Sequence, residues 1–115
     1  TRLYNGHTTT SDALLAGVPV VTLQGAHFAS RVSASLLTAQ GLTECITDSL
    51  VEYERTALEL AANPEALHEL RCRTQDARFR GHLFKTQDFV LNLERVFREM
   101  ERQRLSGQPP RMIKV

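Results

Sequence analysis

The spacing of apolar residues changes near the middle of the chain. Over residues 1–46 they come in short, small or β-branched runs broken by Gly and Pro, with few charges. Over residues 49–105 they recur every three or four positions inside charged sequence. In the first half, PVVTL at 19–23 is a short β-branched run with Gly and Pro on both sides, the pattern of a buried parallel strand. Ser11 to Ala16 before it read as a short helix, stopped by Gly17 with Pro19 just beyond. FASRVSASLLTAQG at 28–41 reads as a second helix, with Ala29, Val32, Leu36 and Leu37 on one face and Gly41 as C-cap. TECIT at 43–47 reads as another short strand. The order helix, strand, helix, strand predicts an α/β layer with parallel strands.

The second half predicts three helices. The first is TDSLVEYERTALELAAN, capped at Asp48 or Ser49, with Leu50, Tyr53, Ala57, Leu60 and Ala61 as its apolar stripe. Asn63-Pro64 ends it and opens EALHELRCRTQDARFR. A break at 81–84 precedes TQDFVLNLERVFREMERQRLSG, which has Thr86 as its cap and Phe89, Leu93, Val96, Phe97 and Met100 in helical period. Glu94, Glu99 and Glu101 alternate there with Arg95, Arg98 and Arg102, a solvated face of ion pairs and not a carboxylate dyad. The tail QPPRMIKV reads as irregular. The texture divides the chain into an α/β segment, 1–47, and a helical segment, 48–115. Two or three strands fall short of the about five or six of a freestanding doubly wound sheet. The strand-poor pattern and the non-Met start therefore predict one incomplete domain, the end of a larger one.

Composition narrows the class. With 115 residues, 42% hydrophobic and 23% charged, the chain reads as a globular domain with a modest core. Fourteen basic residues against 13 acidic ones, a net charge of +1, lack the basic excess of a nucleic-acid binder. No run approaches the roughly 18 apolar residues of a membrane helix. Cys45 and Cys72 form no CxxC pair, so the expectation is a reduced, cytoplasmic protein without a zinc site. The missing initiator Met leaves a targeting segment ahead of Thr1 open.

The candidate chemistry lies in NGHTTTSD at 5–12. If a helix starts near Thr8, its first turn carries unpaired backbone N–H groups and a partial positive charge. A phosphate or diphosphate fits there without a lysine. Gly6 permits close approach, Thr8, Thr9 and Thr10 add hydroxyls, and His7 is placed to donate to a phosphate oxygen or a leaving group. Asp12, about one turn in, repels phosphate but accepts hydrogen bonds from a ribose diol, so the set fits a nucleotide. The same residues also suit a plain helix start, because Thr is a common N-cap and Asp a common first-turn residue. Of the others, Arg31 and His27 stand near the strand end as weaker candidates. His68 and His82 read as solvent-facing or unpartnered, and Cys72, between Arg71 and Arg73, as an inert helix thiol.

NGHTTTSDALLAGVPVVTLQG at 5–25, followed by ASRVSASLL at 29–37, resembles the catalytic C-terminal region of the O-linked N-acetylglucosamine transferases. The similarity continues through EYERTALELAANPEALHELR, LFKTQDFVLNLERVFREM and the PRMIKV tail, so it covers essentially all 115 residues. The resemblance implies part of the C-terminal Rossmann-like lobe of a GT-B glycosyltransferase, followed by C-terminal helices. It implies an inverting UDP-sugar-dependent protein O-glycosyltransferase that moves N-acetylglucosamine from UDP-N-acetylglucosamine to Ser or Thr. Carried onto matching positions, His7, Thr8 and Thr9 contact the diphosphate and Asp12 holds the ribose. No metal and no other cofactor is implied.

The family's phosphate-binding lysine, uracil contacts, candidate general base and acceptor-binding tetratricopeptide repeats correspond to sequence upstream of Thr1. The chain therefore carries no catalytic residue of its own and is expected to be inactive alone. Its expected partners are the nucleotide-sugar donor, an acceptor protein or peptide and the remainder of the catalytic region, with no nucleic acid and no membrane. Two other readings stay open: a related transferase using another nucleotide sugar, such as glucose or GDP-fucose, and a non-catalytic nucleotide-binding or interaction module.

Overall fold

The computed structural model describes residues 4–114. Leu3, at the head of the LYNG segment, and Val115, at the end of the tail, lie outside the described residues. Contacts divide the chain into two compact units, one ending at Phe84 and one beginning at Lys85. The change of composition at 47/48 falls inside the first unit.

The first unit opens with helix α1, Thr8–Leu15, three residues earlier than the predicted helix start. Its end follows from Gly17. At φ +75° this residue lets its N–H donate to Leu14 O (3.0 Å) while Val18 N–H donates to Ala13 O (2.8 Å), closing the helix C-terminus. Strand β1 is only Thr22–Leu23, the last two residues of the predicted 19–23 run. A 3-10 turn at Phe28–Ser30 precedes helix α2, Val32–Ala39, which Gly41 (φ +72°) ends in the same way through Thr38 O and Leu37 O.

The predicted strand at 43–47 divides. Thr43–Cys45 is a 3-10 turn, and only Ile46–Thr47 form strand β2. The strands pair in parallel, Thr22 with Ile46 and Leu23 with Thr47. Thr47 Oγ1 also donates to Thr22 O (2.9 Å), so the hydroxyl of a buried threonine adds to a short ladder.

Helix α3, Leu50–Ala62, is capped by Ser49, whose Oγ accepts from Glu52 N–H (3.2 Å). Helix α4, Pro64–Arg80, follows after the single residue Asn63, whose Oδ1 accepts from Ala66 N–H (3.1 Å), with Pro64 in the first turn. The core gathers Leu14 from α1, Leu37 from α2, Leu42 and Cys45 beyond it, and Leu70 from α4. Helix α4 lies against α1: Arg78 Nη1 donates to Leu15 O (3.2 Å), and a β-carbon at Gly17 would meet Gln75 Cγ at 2.6 Å.

Two predicted stripes are corrected. Helix α2 buries Ser33, Ala34 and Leu37, and the preceding turn buries Ser30, where the continuous helix predicted Ala29, Val32, Leu36 and Leu37. The break at Arg31 resets the helical phase, and each buried serine is satisfied locally or across the fold: Ser30 Oγ donates to His27 O and Ser33 Oγ to Gly6 O. Helix α3 buries no residue, and of its predicted stripe only Leu60 packs against the core.

In the second unit, helix α5, Thr86–Leu105, takes Lys85 as its N-cap residue without a side-chain bond, so Thr86 is the first helical residue and not the cap. Glu99 holds Arg102 (2.7 Å), Gln103 (3.0 Å) and, at 3.6 Å, Arg111 of the tail. Glu94–Arg98 (3.0 Å) and Glu101–Arg104 (2.8 Å) complete the predicted ion-paired face.

Candidate functional site

Helix α1 starts on a residue that does not cap it. His7 is the N-cap by position, with φ −105° and ψ −86°, and makes no side-chain cap hydrogen bond. The first intrahelical bond is Ser11 N–H to His7 O (3.0 Å). The amides of Thr8, Thr9 and Thr10 therefore have no intrahelical acceptor. Thr8, Thr9 and Asp12 are exposed and His7 is half-buried, all around this one helix start. Among the described residues no side-chain hydrogen bond caps this helix start, so neither Thr8 nor Asp12 is the cap that the plainer sequence reading allowed. The arrangement can present amides, two hydroxyls and an imidazole to an anion, with a carboxylate one turn along the helix.

What fixes that helix start is a set of contacts that periodicity did not reveal. Ser33 Oγ donates to Gly6 O (2.8 Å), so the 3.0 Å contact between Thr10 and Ser33 has Thr10 Oγ1 as donor. This relay ties the first turn of α1 to the first turn of α2. Asn5, 5% exposed, donates from its backbone to Ala29 O (2.8 Å) and from Nδ2 to Leu23 O (3.3 Å), tying the segment before α1 to β1 and the turn after it. Gly6 has no room for a side chain: a β-carbon would lie 2.6 Å from Thr10 Oγ1 and 2.8 Å from Thr9 Oγ1.

A cavity of about 280 Å³ adjoins these residues, lined by Asn5, Gly6, Thr10, Ser33, β1, Leu50 and Tyr53. Asn5 Oδ1, from a residue of the cavity wall, and His7 Nε2, at the helix start, are buried without a hydrogen-bond partner among the described residues. Signals for Thr10 and Ser33 were present in the sequence only as hydroxyls at positions where an apolar residue would otherwise be buried.

The remaining candidates are not gathered here. His27 and Arg31 are exposed, and Arg31 lines a separate shallow groove with Phe28 and Leu36. Cys72 is exposed, with Sγ 3.6 Å from His68 Nε2 on the same helix, and Arg73 pairs with Glu44 at 2.6 Å. Among the described residues no cluster of three or more His, Cys, Asp or Glu side chains stands ready for a metal ion. No helix among them is long and apolar enough to cross a membrane.

Known proteins carry a similar sequence and fold. The family model of glycosyl transferase family 41 matches residues 1–93. A probable UDP-N-acetylglucosamine–peptide N-acetylglucosaminyltransferase, SEC, of Arabidopsis thaliana is 44% identical over all of this chain and 12% of its own length. A probable enzyme of the same description, SPINDLY, of Oryza sativa subsp. japonica is 38% identical over 93% of this chain and 12% of its own. The UDP-N-acetylglucosamine–peptide N-acetylglucosaminyltransferase of Caenorhabditis elegans is 34% identical over 95% and 10%. The chain thus spans about a tenth of the length of these curated relatives. Among solved structures, a mutant O-GlcNAc transferase of Thermobaculum terrenum superposes with a TM-score of 0.77 at 37% identity, over 84% of this chain and 19% of that one. The helix–strand–helix–strand layer is accordingly part of the Rossmann-like lobe of a GT-B glycosyltransferase, with helices following it. With a family model over most of its length and relatives that match nearly all of it, the chain belongs to glycosyl transferase family 41, the O-linked N-acetylglucosamine transferase family.

Proposed function

We propose that this chain is the donor-binding part of an inverting UDP-sugar-dependent protein O-glycosyltransferase, which moves N-acetylglucosamine from UDP-N-acetylglucosamine to Ser or Thr hydroxyls. The observation that carries the reading is the uncapped start of α1, ringed by His7, Thr8, Thr9 and Asp12. The relatives' names support the donor and the peptide acceptor. In this reading the free amides of the first turn and the Thr8 and Thr9 hydroxyls donate to the diphosphate, and His7 adds a further donor. As the bond to the sugar breaks, negative charge grows on the departing UDP. Fixed donors already aimed at that position stabilise it without reorganising. Asp12 accepts from the ribose diol. No metal or other cofactor takes part, and the general base lies outside this chain, which alone is inactive. A cytoplasmic setting belongs to the same reading, supported by two free thiols, Cys45 and Cys72.

The test is calorimetric titration of the full-length protein and its Asp12→Ala variant with UDP and 2′-deoxy-UDP. Loss of a charge-assisted hydrogen bond of about 1.5–3 kcal/mol weakens UDP binding roughly 10- to 150-fold. Binding of 2′-deoxy-UDP, which lacks half of the diol, falls much less. Equal losses for both ligands remove Asp12 from the ribose. A panel of nucleotide sugars, read by intact mass of an acceptor peptide, identifies the sugar.

A further inference from the structure

His7 does not stand alone at the start of α1. The Tyr4 ring stacks on its imidazole with centroids 5.2 Å apart and planes 9° from parallel. The Phe28 ring meets the same imidazole edge-on, 5.9 Å away at 78°. These are the offset-stacked and T-shaped arrangements that aromatic quadrupoles favour. Tyr4 is 60% exposed and Phe28 79% exposed, so neither ring is placed there by burial in the core. The two rings come from segments distant in sequence, and the fold joins those segments next to them: Asn5 N–H donates to Ala29 O at 2.8 Å. Between the rings His7 Nε2 is buried and has no hydrogen-bond partner among the described residues.

We infer that Tyr4 and Phe28 are positioning residues, which hold the His7 imidazole in one orientation so that its ring nitrogen is already set for the donor's diphosphate. The inference rests on the donor reading given above. An imidazole on a helix N-cap turns about two side-chain bonds. One ring stacked on it and another set at a right angle to it remove that freedom before a ligand arrives, and the cost of ordering the side chain is not charged to binding. The rings act through His7 and need not touch the ligand.

The experiment is a double-mutant cycle on the full-length protein, reading UDP affinity by calorimetry. His7→Ala weakens UDP binding. Tyr4→Ala and Phe28→Ala each weaken it roughly two- to tenfold, the range of an aromatic pair, while Tyr4→Phe keeps wild-type affinity. Because the rings work only through the imidazole, Tyr4→Ala or Phe28→Ala added to His7→Ala costs nothing further. Wild-type affinity in both ring variants, or double-mutant losses equal to the product of the single losses, overturns the positioning role while the donor reading stands. If His7→Ala itself leaves UDP affinity unchanged, the donor role of His7 falls, and the positioning role falls with it. Thermal midpoints should stay at the wild-type value for the ring variants, since both rings are exposed; a general loss of stability that accounts for the weaker binding also overturns the inference.

Discussion

Cys45 and Cys72 show how far position within the fold separates two identical residues. Cys45 is 1% exposed, and burial pushes its thiol up from the ordinary 9.0 to about 11, with the neighbouring Glu44 carboxylate adding to the rise and Arg73 opposing it. Cys72 sits on the outer face of α4. At pH 8 iodoacetamide should therefore label Cys72 in the native protein and leave Cys45 unmodified until urea is added, as peptide mapping will show. Labelling of native Cys45 at the same rate would contradict this packing. A thiol whose folded value is raised favours the folded state below about 9, and that contribution is lost as pH rises from 9 towards 11. The donor-site candidates were legible at this scale because their chemistry is local: His7, Thr8, Thr9 and Asp12 lie within one helix start. The contacts that hold them, Ser33 to Gly6 and Asn5 to Ala29, link residues more than twenty positions apart.

Helix ends were largely readable from single residues, because caps are local hydrogen-bond solutions. Gly17 and Gly41 end α1 and α2, and Asn63-Pro64 turns α3 into α4. Asp48 and Ser49 could not be separated by residue type. The structure makes Ser49 the cap, and Glu52 Oε2 accepts from the Asp48 N–H (3.1 Å). Thr86 is the first helical residue and not the predicted cap, because a threonine before an apolar run fits both positions equally well. On α5, the Arg102 guanidinium holds Glu99 well below the ordinary 4.5, at about 2, helped by Gln103 and opposed by partial desolvation. A depressed carboxylate favours the folded state above its unfolded value, and this contribution disappears as pH falls from about 4.5 to about 2. Carbon-13 titration of the Glu99 carboxyl should place its midpoint near 2, and Arg102→Ala should move it back towards 4.5. A midpoint near 4.5 in the unmodified protein would mean that the ion pair does not persist in solution.

At the scale of the whole molecule the unusual feature is the parallel sheet, which has two strands among the described residues. Parallel sheets are ordinarily covered on both faces and built from more strands. The small core, Leu14, Leu37, Leu42, Cys45 and Leu70, lies between α1, α2 and α4. Within its own unit α5 leaves Phe89, Phe97 and Met100 more than half exposed. With about a tenth of the length of its curated relatives, the 115-residue chain expressed by itself should unfold in urea at a low midpoint or self-associate. Sedimentation and a urea titration followed by circular dichroism test this; a monomer with a cooperative, high-midpoint transition would contradict it.

The sequence by itself determined the α/β class, the C-terminal stops of α1 and α2, the junction of α3 with α4, the family resemblance and the four residues grouped at the start of α1. Each of these depends on residues a few positions apart, whose spacing is printed in the chain. Tertiary structure alone decided the strand register of Thr22 with Ile46, the interruption of the second helix at Arg31, and the burial of Thr10, Ser33 and Asn5. It also brought Phe28 onto His7 beside Tyr4. A polar residue can be buried when a distant group satisfies its hydrogen bonds, and an aromatic ring can be useful while exposed. Neither condition leaves a period in the pattern of apolar positions.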